Sequence, residues 1–434
     1  METKKNYMLP IFMMILLFGM ISFVTNLAAP VGMIWKYKFA DSNFLGMLGN
    51  FMNFLAYLFM GIPAGKLLQK VGYKKTALIA IAVGFLGVFI QFLSGTASAE
   101  ATLFTLPLNF IIYLLGAFVA GFSVCMLNTV VNPMLNTLGG GGNKGNQLIQ
   151  VGGSFNSLVG TFTPMFVGAL IGSVTKDTVI SNVNPVLYIA MGVFVAAFIV
   201  LFIVQIPEPH LEKATAGTGV KDKYSAWSFR HFVLGAIAIF MYVGIEVGIP
   251  GTMLYFLEDP NAGGLGATVA GFVAGTYWFL MLVGRFAGAS IAGKVSSKTM
   301  LTTGSGVAIL LIAAALLSPI STRVAIPAFT GASFEMIQVP LSAMFFVLCG
   351  LCTSIMWGSI YNLAVEGLGK YITTASGIFM MMVVGGGVLP LLQNFVADKA
   401  DYMISYWVPL IGLVYLLYYA LIGSKNINKD IPTE

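Results

Sequence analysis

The sequence predicts an all-α membrane protein whose twelve transmembrane helices form two pseudo-symmetric six-helix bundles. Three observations lead to this fold class. Hydrophobic residues make up 58% of the 434-residue chain and charged residues only 9%, which leaves too few polar side chains to cover a water-soluble protein. The apolar runs reach the roughly 20 residues that a helix needs to span a bilayer. The two halves of the chain also repeat the same pattern.

Twelve apolar runs, separated by polar residues, Gly or Pro, are assigned as spans with boundaries good to about four residues. Backbone polar groups in hydrocarbon must be satisfied within the segment, which favours helices throughout. The first run follows two lysines like a signal peptide, but its apolar part is too long, so we assign it as a retained span. The spans are predicted near residues 8–34, 44–69, 75–97, 103–136, 146–173, 185–206, 229–256, 266–293, 299–318, 339–366, 371–397 and 403–422.

The longest polar interruption, residues 206–228, divides the spans six and six. We therefore predict an N-terminal bundle over 1–205, a cytoplasmic linker over 206–228 and a C-terminal bundle over 229–434. The loop of residues 64–74 after span 2 is echoed by residues 287–298 after span 8. Equivalent loops in equivalent places indicate a duplicated six-helix unit.

The distribution of basic residues predicts a multi-pass protein of the bacterial inner membrane with both termini in the cytoplasm. Lys and Arg are scattered through short loops, which favours a lipid partner over nucleic acid. With this orientation the other face holds only five: Lys36, Lys38, Lys176, Arg323 and Lys399. The cytoplasmic segments collect seventeen: Lys4, Lys5, Lys66, Lys70, Lys74, Lys75, Lys144, Lys213, Lys221, Lys223, Arg230, Arg285, Lys294, Lys298, Lys370, Lys425 and Lys429.

Nothing in the sequence points to an enzyme, a metal site or a cofactor. The three cysteines, Cys125, Cys349 and Cys352, lie within apolar runs and are interpreted as small core residues. The two histidines fall on or beside the linker, so no Ser/His/Asp or Cys/His set can be formed. The Gly139–Gly142 run is followed by no G-K-[ST] and is assigned as a flexible loop.

Several motifs resemble those of one transporter family. Gly65, Gln69, Lys70, Gly72 and Lys74 form a loop similar to the signature loop of the major facilitator superfamily. Further segments resemble its fucose/galactose/glucose-proton symporter family: residues 155–157, 242–246, 277–278, 284–286, 354–370, 376–377 and 385–393. The resemblance implies the major facilitator fold, sugar uptake by symport, and a monomer.

The chain departs from this family at positions that matter for coupling. The acids that the family uses for proton coupling in spans 1 and 4 fall on Ala29 and Asn128, and a family glutamine in span 5 falls on Gly153. Neither Ala29 nor Asn128 can carry a proton. The identity of the sugar, and the choice between proton, sodium and no coupling, therefore stay open.

Glu246 is the acidic residue that the predicted boundaries place in the middle of a span. A carboxylate at that depth costs several kcal/mol unless it is protonated, paired or hydrated. We therefore predict that Glu246 faces a central cavity and couples transport to a cation. A hydrogen bond from substrate hydroxyls to Glu246 is a second functional possibility, and a structural glutamate bonded to a neighbouring helix is the alternative.

Amide and aromatic side chains inside the spans are candidate substrate ligands. An amide offers both a donor and an acceptor, as a polyhydroxylated ligand requires, whereas interhelical hydrogen bonding is the structural alternative. An aromatic face can stack on the apolar side of a sugar ring. The candidates are Asn26, Asn50, Asn53, Asn128, Asn132, Gln150, Asn156, Asn362, Gln393, Tyr242, Tyr277, Trp278 and Trp357.

A cytoplasmic conformational latch is predicted from the signature loop and its surroundings. Its members are Lys70, Gly72, Lys74, Arg285 and Glu366, and Glu366 is interpreted as a latch or helix cap rather than a ligand.

Together these residues favour a secondary active transporter that takes up a hexose, deoxyhexose or amino sugar by alternating access and cation symport. An uncoupled sugar facilitator is an alternative that is also compatible with the missing acids. A membrane solute sensor is a second class of function, which the short linker and tails disfavour. An exporter of apolar compounds is disfavoured by the many amides.

Overall fold

The structure is a computed structural model that describes residues 7–98, 100–103, 105–139, 142–172, 174–175, 177–208, 224–291, 295–428 and 430–433. Most of the predicted linker 206–228 lies outside the described residues. The same holds for His210 and for a set of basic residues used to predict the orientation: Lys4, Lys5, Lys176, Lys213, Lys221, Lys223, Lys294 and Lys429.

The described residues form an almost entirely helical protein. The helices are α1 (Met8–Lys38), α2 (Asn43–Ser94), α3 (Leu108–Leu138), α4 (Gly142–Ile171), α5 (Asn184–Ile203), α6 (Arg230–Glu258), α7 (Ala267–Ile291), α8 (Ser297–Leu317), α9 (Leu341–Thr353), α10 (Met356–Val365), α11 (Ile372–Met382), α12 (Gly385–Lys399), α13 (Tyr402–Ser405) and α14 (Trp407–Tyr418).

Helix α2 contains two spans rather than one. Gly72 interrupts it with φ at +84°, a backbone conformation that glycine adopts without strain. The carboxylate of Glu208 accepts hydrogen bonds from the Tyr73 and Lys74 backbone nitrogens at 2.7 and 2.9 Å, which caps the second part. Helix α3 contacts both parts of α2, residues 43–71 and residues 73–94.

Two further spans consist of paired helices. Helices α9 and α10 form one span bent by 41°, and α11 and α12 form the next. The last span joins α13, α14 and a closing π-helix, Tyr419–Gly423. With α2 counted twice, the described helices make the twelve predicted spans.

Neighbouring spans run in opposite directions, so the bundle has two distinct ends. One end carries the turns 39–42 and 259–266 and the two β-hairpins described in the next paragraph. We call it the hairpin end. The opposite end carries the first and last described residues and residues 224–229, and we call it the terminal end.

Two antiparallel hairpins at the hairpin end were not predicted from the sequence. Strands β1 (Thr102–Leu103) and β2 (Leu106–Pro107) move the start of span 4 from residue 103 to 108. Strands β3 (Arg323–Phe329) and β4 (Phe334–Pro340) pair in full register around Gly331, which has φ at +100°. The alternating, β-branched sequence of residues 323–329 favours a strand.

The first six spans pack against the last six through small residues. Helix α4 lies against α7, and α2 against α11 and α12. Side chains added at Gly271 and Gly275 would collide with α4, and those at Gly386 and Gly387 with α2. Small residues at these positions let the helix backbones approach closely.

Candidate functional site

A charged pair lies between the first and last six spans. Nη2 of Arg285, in the last third of α7, is 3.2 Å from Oε1 of Glu246 at the middle of α6. Nη1 of the same guanidinium donates a hydrogen bond to the Gly153 carbonyl oxygen on α4. Long helical side chains point toward the helix N-terminus, which carries the Arg285 guanidinium inward from its backbone position.

The pair is largely buried but keeps a small solvent-accessible surface. Only 12% of the Arg285 side chain and 13% of that of Glu246 is exposed. Such largely buried charges are stable in a membrane protein only when they are paired and hydrogen-bonded. The Gly153 backbone leaves room for the guanidinium, since a methyl group added there would lie 3.3 Å from Nη1.

Arg285 is predicted as part of the cytoplasmic latch and is counted among seventeen cytoplasmic basic residues. The structure places it within α7 with its charge directed at Glu246. Its role in a latch stays a prediction. Its location within a span follows from the sequence, because Arg285 lies inside the predicted span 266–293.

Aromatic side chains border the charged pair on the side of the last six spans. Trp278 lies two helical turns from Arg285 on α7 and is 6% exposed. The Tyr242 hydroxyl donates to the Thr353 carbonyl at 3.1 Å, where the span of α9 and α10 bends. The Trp357 ring stands edge-on to that of Tyr242, with centroids 6.1 Å apart.

The first six spans supply amides to the same region. Asn26 on α1 donates to the Ser22 carbonyl at 2.9 Å, and Asn156 on α4 donates to the Phe18 carbonyl at 3.0 Å. A methyl group added to Gly160 would lie 3.3 Å from Asn26 Nδ2 and 3.4 Å from Trp278 Cδ2. The Asn26 amide, the Gly160 backbone and the Trp278 ring therefore meet.

Proline residues free backbone acceptors beside these side chains. Pro30, Pro164 and Pro250 lie within α1, α4 and α6. Each stands four residues after a site residue, respectively Asn26, Gly160 and Glu246. Proline has no N–H, so the carbonyl four residues earlier loses its helical donor. Such carbonyls are tolerated at membrane depth where they are buried in protein or line a polar cavity.

Asn50 supplies a missing backbone donor between the two sets of spans. Pro390 removes the donor that the Gly386 carbonyl would otherwise use, and the buried Asn50 side chain donates to that carbonyl at 2.8 Å. This contact joins α2 to α12. The Asn50 side chain thus stabilises the packing of α2 against α12.

The other predicted amides are distributed over α2, α3, α4, α10 and α12. Asn128 donates to the Tyr57 hydroxyl at 2.8 Å, and Asn132 donates to the Asn128 carbonyl at 2.9 Å, within α2 and α3. Asn53 and Gln393 are buried. Gln150 faces Gly358 on α10, whereas Asn362 is exposed and contacts Ser297.

The remaining latch candidates and Tyr277 make local contacts. Lys74 Nζ donates to the Phe202 carbonyl at 2.8 Å, which connects the loop of residues 64–74 to the end of α5. Glu366 and Lys70 have exposed side chains, and the Glu366 carbonyl contacts His231 Nε2 at 2.9 Å. Tyr277 is buried, and its hydroxyl lies 2.9 Å from Thr353 Oγ1. Their roles in gating or binding stay predictions.

Comparisons with known proteins agree with this architecture. Residues 11–391 match the Major Facilitator Superfamily. A glucose/galactose transporter of Brucella abortus is 31% identical over 429 residues, covering 98% of this chain and 96% of its own. A putative glucose/galactose transporter of Helicobacter pylori is 31% identical over 428 residues, covering 94% and 95%.

The fold also matches a solved structure. A crystal structure of the Escherichia coli fucose:proton symporter FucP aligns with a TM-score of 0.69 and 18% identity, covering 97% of this chain and all of that one. The sequence match spans most of the chain, and the helical architecture agrees with it. The chain is therefore a multi-pass membrane protein that belongs to the Major Facilitator Superfamily.

Proposed function

We propose that this protein takes up a neutral sugar by proton-coupled alternating access, with Glu246 as the coupling residue. The observation that carries the proposal is the Glu246–Arg285 pair, located between the two sets of spans and still partly accessible to solvent. The names of the relatives support a sugar as the class of substrate. Trp278, Asn26 and the freed carbonyls offer the stacking surface and hydrogen bonds that a sugar requires.

The charge of the site favours an uncharged substrate. Arg285 and Glu246 compensate each other at 3.2 Å. An anionic substrate would have to compete with the Glu246 carboxylate for the guanidinium, and a cationic one would be repelled by Arg285. A neutral polyol meets neither cost, because hydroxyls can add to the remaining donors and acceptors of the pair.

The same pair provides a route for coupling. When Glu246 takes up a proton, its attraction for Arg285 falls, and guanidinium N–H groups become available to sugar oxygens. Arg285 keeps its hydrogen bond to the Gly153 carbonyl, so the sugar-bound site still joins α7 to α4. Proton and sugar thus favour the same occluded arrangement, which is the requirement for symport.

A proton suits this site better than sodium does. The guanidinium lies against the carboxylate and fills the space in which a metal cation would need further oxygen ligands. A proton needs no such space. Glu246 would then take the role of the acids that the resembled family carries at the positions of Ala29 and Asn128.

We place the terminal end in the cytoplasm of a bacterium and the protein in its inner membrane, acting as a monomer. The excess of basic residues at the terminal end supports this orientation. The bundles over 1–205 and 229–434, joined by the linker 206–228, would then be the two units that move around the site.

The test is uptake of labelled glucose, galactose, L-fucose and N-acetylglucosamine into proteoliposomes with imposed proton or sodium gradients. We expect the proton gradient to drive accumulation of one of these sugars. In Glu246→Gln, accumulation should fall at least about tenfold while exchange of sugar across the membrane continues, since the amide mimics the protonated acid. Glu335→Gln, on the exposed strand β4, is the matched control.

The other possible outcomes would each contradict part of the proposal. Full accumulation by Glu246→Gln would remove its coupling role. Accumulation driven by sodium alone would overturn proton coupling, and equilibration without accumulation would mean an uncoupled facilitator. If none of the sugars crosses the membrane, the exporter and the solute sensor become the leading readings.

A further inference from the structure

A buried lysine joins the two sets of spans at the hairpin end. Lys36, near the end of α1, is 1% exposed. Its Nζ donates a hydrogen bond to the Tyr402 hydroxyl at 3.0 Å and lies 4.0 Å from the Asp259 carboxylate. Both partners belong to the last six spans, whereas Lys36 belongs to the first six.

The surroundings of the ammonium group are suited to a positive charge. Nζ lies 5.5 Å from the ring centroids of Tyr37 and Tyr255 and 5.7 Å from that of Tyr402, within the range of cation–π attraction. The Tyr402 hydroxyl also faces Asn43 Oδ1 at 2.9 Å and Asp259 Oδ2 at 3.2 Å. One hydroxyl therefore links α1, α2 and the end of α6.

Two further polar contacts cross at the same level. The Tyr37 hydroxyl donates to Glu258 Oε2 at 2.5 Å. The Asp398 carboxylate, near the end of α12, accepts from the Asn43 and Phe44 backbone nitrogens at 2.7 and 2.9 Å and so caps the start of α2. The hairpin end is thus closed by several contacts around Lys36.

We infer that Lys36 is a positioning residue that holds the hairpin end closed between transport steps through Asp259 and Tyr402. A charge with 1% exposure is stable only while its partners surround it. When the two sets of spans separate, water hydrates the lysine and the acid instead, so the contact can open and close reversibly. The role rests on the alternating access of the proposed function.

Removing only the acid of the Lys36–Asp259 pair should have a different effect from removing both charges. Asp259→Asn leaves the Lys36 charge buried without its anion in the closed state, yet costs little in the open state, where water replaces the partner. This change should therefore favour opening. Adding Lys36→Met removes the buried charge as well, and an uncharged pair should restore closure.

Opening can be measured with a cysteine at Met47. This side chain is 1% exposed on α2 and faces Gly251 on α6, so it becomes accessible when the hairpin end opens. In Met47→Cys protein in detergent, without sugar or gradient, we expect Asp259→Asn to raise the rate of N-ethylmaleimide labelling at least about tenfold. The double variant with Lys36→Met should return to near the starting rate.

Two controls separate opening from general loosening. Asp177→Asn makes the same substitution at an exposed position of the same end and should leave the rate unchanged. The native Cys349 is fully buried in α9 and should stay unlabelled in every variant. Tyr402→Phe, which removes the bridging hydroxyl, should raise the rate about threefold and serves if Asp259→Asn does not fold.

The inference is overturned if Asp259→Asn labels at the rate of Asp177→Asn, or if Cys349 is labelled in parallel with position 47. It is also overturned if adding Lys36→Met fails to slow labelling. These readings require no sugar, so they can fail or succeed independently of the proposed substrate and coupling ion.

Discussion

Replacing Arg285 by methionine would test whether Glu246 depends on its partner. Removing one member of a buried ion pair costs about 3–5 kcal/mol, and the pair is only 12% and 13% exposed, so little solvent compensates. Loss of the hydrogen bond to the Gly153 carbonyl adds about 1 kcal/mol. We therefore expect Arg285→Met to destabilise the protein by about 5 kcal/mol.

This cost translates into a measurable melting temperature. At about 2.1 cal/mol/K per residue, a chain of 434 residues has an unfolding entropy of about 0.9 kcal/mol/K. A loss of about 5 kcal/mol then lowers the melting temperature by about 5–6 °C. A fluorogenic thiol dye can follow unfolding in detergent, because Cys125, Cys349 and Cys352 are buried.

The order of the variants is the decisive result. Arg285→Met with Glu246→Gln should melt above Arg285→Met alone, because the unpaired carboxylate is gone. Arg323→Met, at an exposed position of β3, should melt with the unmodified protein. Equal melting temperatures for the single and double variants would show that Glu246 gains nothing from Arg285 and would refute the reasoning.

Two further predictions concern other parts of the fold. Asn50→Ala leaves the buried Gly386 carbonyl without a donor, so we expect a loss of about 1–3 kcal/mol in the same melting assay; an unchanged melting temperature would mean that water replaces the amide. Gly72→Ala forces a side chain into φ +84° against the Glu208 carboxylate and should cost about 1–2 kcal/mol, whereas Gly65→Ala, where the added methyl meets nothing, should be neutral.

Much of the fold follows from local sequence. Twelve apolar runs of spanning length can be assigned because hydrocarbon demands a continuous apolar surface over each one. The position of Glu246 within a span followed for the same reason. The bend between α9 and α10 did not follow, since it lies at a contact with another helix, where the Tyr242 hydroxyl on α6 donates to the Thr353 carbonyl.

The strands β3 and β4 show a different limit. Residues 323–329 favour a strand locally, but the sequence does not show that they pair with residues 334–340. The pairing is supported from outside the hairpin, where Phe329 donates its backbone N–H to Thr276 on α7 at 2.8 Å and packs on Phe279. Such support cannot be read from the hairpin sequence.

The sequence by itself determined the class of protein, the number of spans and the presence of a carboxylate at membrane depth, because these depend on composition and on the length of apolar runs. Tertiary structure decided which charge compensates that carboxylate. Glu246 and Arg285 are 39 positions apart, and Arg285 and Gly153 are 132 apart. Lys36 likewise finds Tyr402 across 366 positions. Pairing in a low-dielectric interior is set by which helices pack together, and that packing brings distant residues into contact.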